Sequence, residues 1–146
     1  MAISTALCSS FKQELLQAVH NFSSHTFKLA LIKDGESGTY GAASTNYSNI
    51  TGNSDEQANT GTYAAGGAAL TNVTVNLTGT TAHIDFDNPQ WTSATIDADG
   101  CMIYNTSASN KAVAVISFGS TQSSDNGTFT ITIPADGAST SIIRVA

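Results

Sequence analysis

The side chains whose types and spacing invite a chemical reading are two pairs of aspartates, three histidines and two cysteines. Asp85 with Asp87, and Asp97 with Asp99, are paired carboxylates of the kind that flank the bond cleaved by a glycosidase. Each pair has a plainer reading. Asp85 and Asp87 alternate with Ile84 and Phe86, so they fall with His83 on the solvated face of a strand, and Asp97-Ala98-Asp99-Gly100 has the composition of a turn. That run also begins like a calcium loop, yet the later acidic ligands of the twelve-residue pattern, its closing Glu included, are missing. His20, His25 and His83 lack zinc spacing, and neither Cys8 nor Cys101 sits in a C-x-x-C pair. No G-x-S-x-G marks a serine as a nucleophile, and Gly66-Gly67 belongs to neither phosphate-binding glycine pattern. The residues therefore predict no catalytic site, no metal, no cofactor and no enzyme.

Composition directs attention to surfaces instead. Only 11% of the residues are charged, against about 25% in ordinary soluble domains, while 81 of the 146 are Ala, Thr, Ser, Gly or Asn. Neutral polar surface is buried against a partner at lower desolvation cost than charge, which suits a subunit of an assembly. The net charge is -6, with Lys12, Lys28, Lys33, Lys111 and Arg144 as the only basic side chains besides histidine. Nucleic-acid binding needs clustered cations to displace counterions from phosphates, so it is excluded as an expectation. Two cysteines make no disulfide framework and read as small, partly buried apolar residues. No run approaches the roughly 18 apolar residues of a membrane span, and MAISTALCSSFK lacks a basic start and a long apolar run. The expectation is a protein made in the cytoplasm, with no membrane partner.

The elements that must position these groups follow from periodicity. The length suits one β-rich domain over residues 1–146. Gly100 to Phe118 reads as a buried hairpin, reversed by the turn-forming run Asn105 to Asn110, with Ala112 to Phe118 as the central strand of the fold. Ser10 and Gln13 have capping-box spacing, and Phe11, Leu15, Leu16 and Val19 form one stripe, predicting a helix over about 10–20. Thr26 to Lys33 reads as a strand ended by Asp34-Gly35. Residues 35–67 are a polar loop or arm whose scarce large side chains include Tyr40, Tyr47 and Tyr63. Those tyrosines either supply contact area to a partner or pin the arm to its own domain. Val73 to Asp87 reads as a half-exposed hairpin about Gly79, Trp91 as a core anchor, and Ala94 to Ile96 as a short strand before the turn at Asp97 to Gly100. A polar loop over Gly119 to Gly127, an amphipathic strand carrying Phe129, Ile131 and Ile133, and a closing strand over Ser141 to Val145 complete the pattern. The fold class is mainly β, an antiparallel β-sandwich or barrel with one N-terminal α-helix.

The ordered series FKQELLQAVH, TFKLALIK, TYAAGGAAL, FDNPQWTSATI, MIYN, NKAVAVISFG and GTFTITIP resembles the small structural proteins of tailed-bacteriophage virions. The resemblance spans nearly the whole chain except Gly35 to Gly61. Its motifs are short and structural, and their order and spacing carry it. What it implies is a capsid decoration, or cement, protein on the outer shell of the virion, a homo-oligomer and often a trimer, that binds the major capsid protein and its own copies. The expected contact residues are the helix stripe Phe11, Leu15, Leu16 and Val19, together with Tyr40, Tyr47 and Tyr63. A tail or fibre adaptor that recognises the host is the alternative within the virion. A hydrolase acting through Asp85 or Asp97 is a third reading.

Overall fold

A computed structural model describes residues 2–146. In chain order the elements are β1 (Ala2–Ile3), β2 (Ala6–Leu7), α1 (Ser9–Leu16), β3 (Phe27–Lys33), β4 (Thr39–Tyr40), α2 (Ser48–Gly52), β5 (Ala68–Ala69), β6 (Thr74–Thr78), β7 (Thr81–Asp85), β8 (Gln90–Asn105), β9 (Lys111–Thr130) and β10 (Ile143–Val145). The fold is mainly β, as its alternating apolar runs predict. A five-stranded sheet has the order β2-β9-β8-β3-β5, a three-stranded sheet the order β10-β7-β6, and β1 pairs with β4 in a small parallel ladder.

The buried hairpin forms, and it is longer than its apolar residues suggest. β8 and β9 run antiparallel from Asn105↔Lys111 out to Gln90↔Thr130. A 3-10 turn over Thr106–Ala108 reverses the chain: the Asn105 side chain accepts from the Ser107 amide, and Ser109 and Asn110 take the left-handed conformation that closes it. β8, rather than Ala112 to Phe118, is the centre of the five-stranded sheet. Two of the expected interruptions are also absent. Asp97 to Gly100 is not a turn and Gly119 to Gly127 is not a loop, because both lie inside the long strands. Their polar side chains pair across the ribbon: Ser123 Oγ donates to Asp97 and Thr121 Oγ1 donates to Asp99 at 2.6 Å. Register shifts between Trp91 and Ala94, Ala94 and Ile96, and Ala98 and Gly100 mark bulges, which let a strand bend without ending.

Beyond Ala98 the ribbon leaves β3 behind, and residues 90–97 of β8 would present an open edge. The stretch 56–63 covers it. Glu56 bridges to Ile32 and the Gln57 amide donates to Leu31 O along β3. The Thr62 amide then donates to Thr92 O, and the amides of Thr92 and Thr95 donate to the hydroxyls of Thr62 and Thr60. A polar segment with hydroxyls at those places blunts the edge as a strand would. Under it, Tyr63, Trp91 and Phe129 pack ring to ring, so Trp91 is the core anchor its position predicts.

α1 is shorter than the expected 10–20 and starts one residue earlier. Its N-cap is Cys8, with no side-chain cap, and Ser10 Oγ is buried without a partner, so the Ser10/Gln13 capping box does not form. The helix stops at Leu16 because Ala18 turns left-handed at φ 57°, the Ala18 amide donates to Leu15 O and the Val19 amide to Glu14 O. That pair of bonds is a Schellman cap with alanine where glycine is usual. A second helix, the single turn α2, lies within the stretch expected to be loop.

Candidate functional site

The arm's tyrosines point inward. Tyr40 and Tyr63 are fully buried in their own domain, and Tyr47 stacks on Tyr104 with ring centroids 4.4 Å apart. Of the two readings open in the sequence, the pinning of the arm to its own domain is the observed arrangement, and an exposed intersubunit role for Tyr40 and Tyr63 is corrected. Two carboxylates that the sequence does not single out organise the arm. Asp55, buried, accepts from the Ser37 and Gly38 amides at 2.8–3.0 Å, from Ser37 Oγ at 3.2 Å and from Tyr40 Oη at 2.5 Å. Burial alone would push its carboxyl upward, but the bonds from Tyr40, Ser37 and Gly38 outweigh it and hold the group below its usual range. Glu56 accepts from Tyr47 Oη, Tyr63 Oη and the Gly66 amide, while Tyr63 Oη itself accepts from the Leu31 amide at 3.0 Å. Desolvation followed by the Asp55 bond raises Tyr40 to about 12, so this phenol donates throughout the physiological range.

A third polar cluster anchors α1. Glu14 Oε2 accepts from His20 Nε2 and Glu14 Oε1 from Lys111 Nζ, both at 2.7 Å. Asn105, fully buried, donates its two amide hydrogens to His20 Nδ1 and His25 Nδ1 at 3.0 Å each. A ring nitrogen that accepts carries no proton, so His20 has its proton on Nε2, facing Glu14. Burial pushes Glu14 upward, and the bonds from Lys111 and His20 prevail, leaving it below its usual range. These groups bond chiefly to one another. Among the described residues no group of three or more His, Cys, Asp or Glu is placed to hold a metal ion. Cys8 and Cys101 are buried free thiols, pushed up by burial to about 11 and about 12 and thus weak nucleophiles.

What the body leaves open is apolar. Among the described residues the large hydrophobic side chains that stay exposed are Leu16 (92%), Leu77 (71%), Val75 and Val145. The register explains three of them. Val75 pairs with Ile84 and Ile84 with Ile143, while Leu77 pairs with Ala82 and Ala82 with Val145, so all six lie on one face of the β10-β7-β6 sheet. The inner part of that face, Ile84 and Ile143, is buried, and the outer part overhangs the core. Between the overhang and α1 runs a cleft of about 160 Å³ lined by Phe11, Leu15, Phe22, Val75, Ile84 and Val145. The predicted helix stripe is thereby divided: Phe11 is core, Leu15 and Val19 are half-buried, and Leu16 stands free. A second groove, of about 670 Å³, opens between the outer ribbon and the C-terminal segment, lined by Ile116, Phe118, Ile131, Pro134 and Ile142 among others.

On the opposite face of the same sheet, His83 is buried rather than solvated, which corrects its expected exposure. The turn after Pro134 folds over it, and Asp136 Oδ1 lies 2.7 Å from His83 Nδ1. Asp85 and Asp87 are not brought together as a pair: Asp87 instead accepts from Thr71 Oγ1 and Asn72 Nδ2. No helix among the described residues is long and apolar enough to cross a membrane. Comparison with known protein families, with curated proteins and with solved structures finds no match.

Proposed function

We propose that the chain is a virion structural protein, a decoration or cement subunit that docks on the phage capsid shell and on copies of itself. The observation that carries this reading is the apolar overhang of Val75, Leu77 and Val145, with Leu16 exposed on α1 across the cleft, on a body whose polar arm is closed by its own hydrogen bonds. Contiguous exposed apolar surface on a charge-poor domain marks a place where another protein belongs. The overhang has a rigid backing, since β7 is held by β10 on one side and β6 on the other. In this role α1 and the sheet face meet a neighbouring subunit, and each docked copy stabilises the assembled shell by mass action, because it binds that state and not the dispersed one. The order of motifs along the chain, with its resemblance to tailed-phage structural proteins, supplies the partner: the major capsid protein.

Copy number in purified virions, relative to the major capsid protein and measured by quantitative mass spectrometry, tests the proposal. A ratio comparable to that of the capsid protein is expected. A small fraction would assign the chain to the tail, and absence from virions would overturn the structural role.

A further inference from the structure

The polar face of the three-stranded sheet assembles a hydroxyl, an imidazole and a carboxylate in series. Asp136 Oδ1 lies 2.7 Å from His83 Nδ1, and His83 Nε2 lies 3.0 Å from Thr78 Oγ1. An ionised carboxylate only accepts, so Nδ1 carries a ring proton; in the neutral ring Nε2 is then bare and accepts from the Thr78 hydroxyl. Asp136 is fixed in turn by Ser141 Oγ, which donates to Oδ1 at 3.1 Å, and by Asn76 Nδ2, which donates to Oδ2 at 2.8 Å. The imidazole is buried and therefore held in one orientation, whereas Thr78 is exposed at the end of β6. An alcohol on Nε2 with a carboxylate on Nδ1 is the arrangement that makes a hydroxyl a nucleophile, and it is recognised by geometry rather than by order in the sequence.

Thr78 pairs with Thr81, leaving Gly79 and Thr80 as a two-residue turn whose amides lie outside the ladder's pairing. Gly79 has φ +60° and nothing within 4 Å of where a Cβ would stand, so the space over the turn is open. The amide that follows a nucleophile is a recurrent donor to the oxyanion of a tetrahedral intermediate.

We propose that Thr78, His83 and Asp136 form an acyl-transfer site for short acyl esters, with Thr78 as the nucleophile. Thr78 Oγ1 bonds to the acyl carbon as its proton passes to His83 Nε2. The tetrahedral intermediate then collapses, the bond from the acyl carbon to the leaving oxygen breaks, and that oxygen takes the proton from Nε2. Water repeats the sequence with His83 as base, releasing the acid and restoring Thr78. Asp136 keeps the imidazole in the reactive tautomer and stabilises its protonated form. The open hairpin tip leaves room for an acetyl group carried on a larger molecule.

The test uses the full-length chain with p-nitrophenyl acetate as substrate and a fluorophosphonate as trapping reagent, and reads hydrolysis together with the modified residue by peptide mass spectrometry. The expected results are a phosphonyl adduct on Thr78, retained in Thr78→Ser, and a fall in hydrolysis of about 100-fold in Thr78→Val and in Asp136→Asn. Thr78→Val is a surface change of equal shape, and an unchanged melting temperature shows that it folds. An adduct elsewhere, or hydrolysis by Thr78→Val equal to that of the unaltered chain, would overturn the site. Neither result depends on copy number in virions, so failure here leaves the docking proposal untouched.

Discussion

The arm over residues 35–67 and the β10-β7-β6 sheet are both thin in ordinary core residues, and they are used in opposite ways. In the arm, Asp55 and Glu56 gather amides and tyrosine hydroxyls from Ser37 to Gly66 until every one of those bonds is internal. In the sheet, an apolar face is built in regular register and then left partly uncovered. A polar stretch becomes part of the body when its hydrogen bonds close on themselves, since a satisfied network in a low-dielectric setting rigidifies what it joins. An apolar face becomes a contact surface when its own chain supplies too little to cover it. The surface that looks sticky by composition is thus the structural one, and the surface that looks like an ordinary hairpin is the open one.

The largest effect that would break this contrast is expected at Asp55. Asp55→Ala removes the carboxylate that accepts from the Ser37 and Gly38 amides and from the buried Tyr40 phenol, a loss of about 3 kcal/mol of folding stability, measured by urea denaturation. A loss no larger than that of an ordinary surface substitution would mean that the arm is not held by this carboxylate. Acid acts on the same groups. Asp55 and Glu14 have folded-state values below their ordinary 3.8 and 4.5, so each contributes in full above its ordinary value and loses that contribution as pH falls through the depressed one. Stability should therefore decline as pH drops through 4.5 and below 3.8, and Glu14→Gln should flatten the upper part of that decline. A pH-independent stability across this window would remove both carboxylates from the account.

Next in size is Tyr63→Phe, which keeps the buried ring and removes only its hydroxyl. The Leu31 amide then has no acceptor and Glu56 loses one donor, a cost of about 1–3 kcal/mol. Tyr47→Phe, at a half-buried position, should cost less than Tyr63→Phe, and the reverse order in matched denaturation curves would show that burial is not what sets the cost.

These residues also show how far the sequence is legible. Strand periodicity places β3, β6, β7, β10 and the Ala112 to Phe118 part of β9, because alternation of apolar side chains is enforced wherever one face is buried. The ends of elements were harder. Asp97-Ala98-Asp99-Gly100 and Ser120 to Gly127 have turn composition, yet they pair across one ribbon, and no local rule foretells that cross-strand partners of matching polarity will hold them extended. Asp55 and Glu56 carry no motif: their partners come from 7 to 18 residues away and include backbone amides, which sequence does not distinguish. The relay of Thr78, His83 and Asp136 spans the turn after Pro134, so only the fold brings its members together. The helix stripe is legible, but its end is not, because the residue in the left-handed position is an alanine.

That alanine allows a stabilising prediction. Ala18 sits at φ 57°, a conformation costing an L-residue about 1–2 kcal/mol, part of which glycine recovers. Ala18→Gly should raise stability by about 0.5–1 kcal/mol, and a loss instead would mean that the methyl group packs usefully beside Leu15.

The smallest effect on stability is expected where the effect on assembly is largest. Leu16 and Leu77 are exposed, so Leu16→Lys with Leu77→Lys should change folding free energy by no more than about 0.5 kcal/mol each. The same pair places one cation on the overhang and one at the end of α1, where a neighbouring subunit would have to desolvate them without partners, and burying an unpaired charge costs far more than the apolar contact gains. The doubly substituted chain should therefore fold as the unaltered one does and fail to co-sediment with capsid shells that lack it. Co-sedimentation at the unaltered level would move docking to the larger groove beside Phe118 and Ile131, where Ile131→Lys is the matching test. Unfolding of the double variant would show instead that the overhang is covered by its own chain, and the contrast with the arm would disappear.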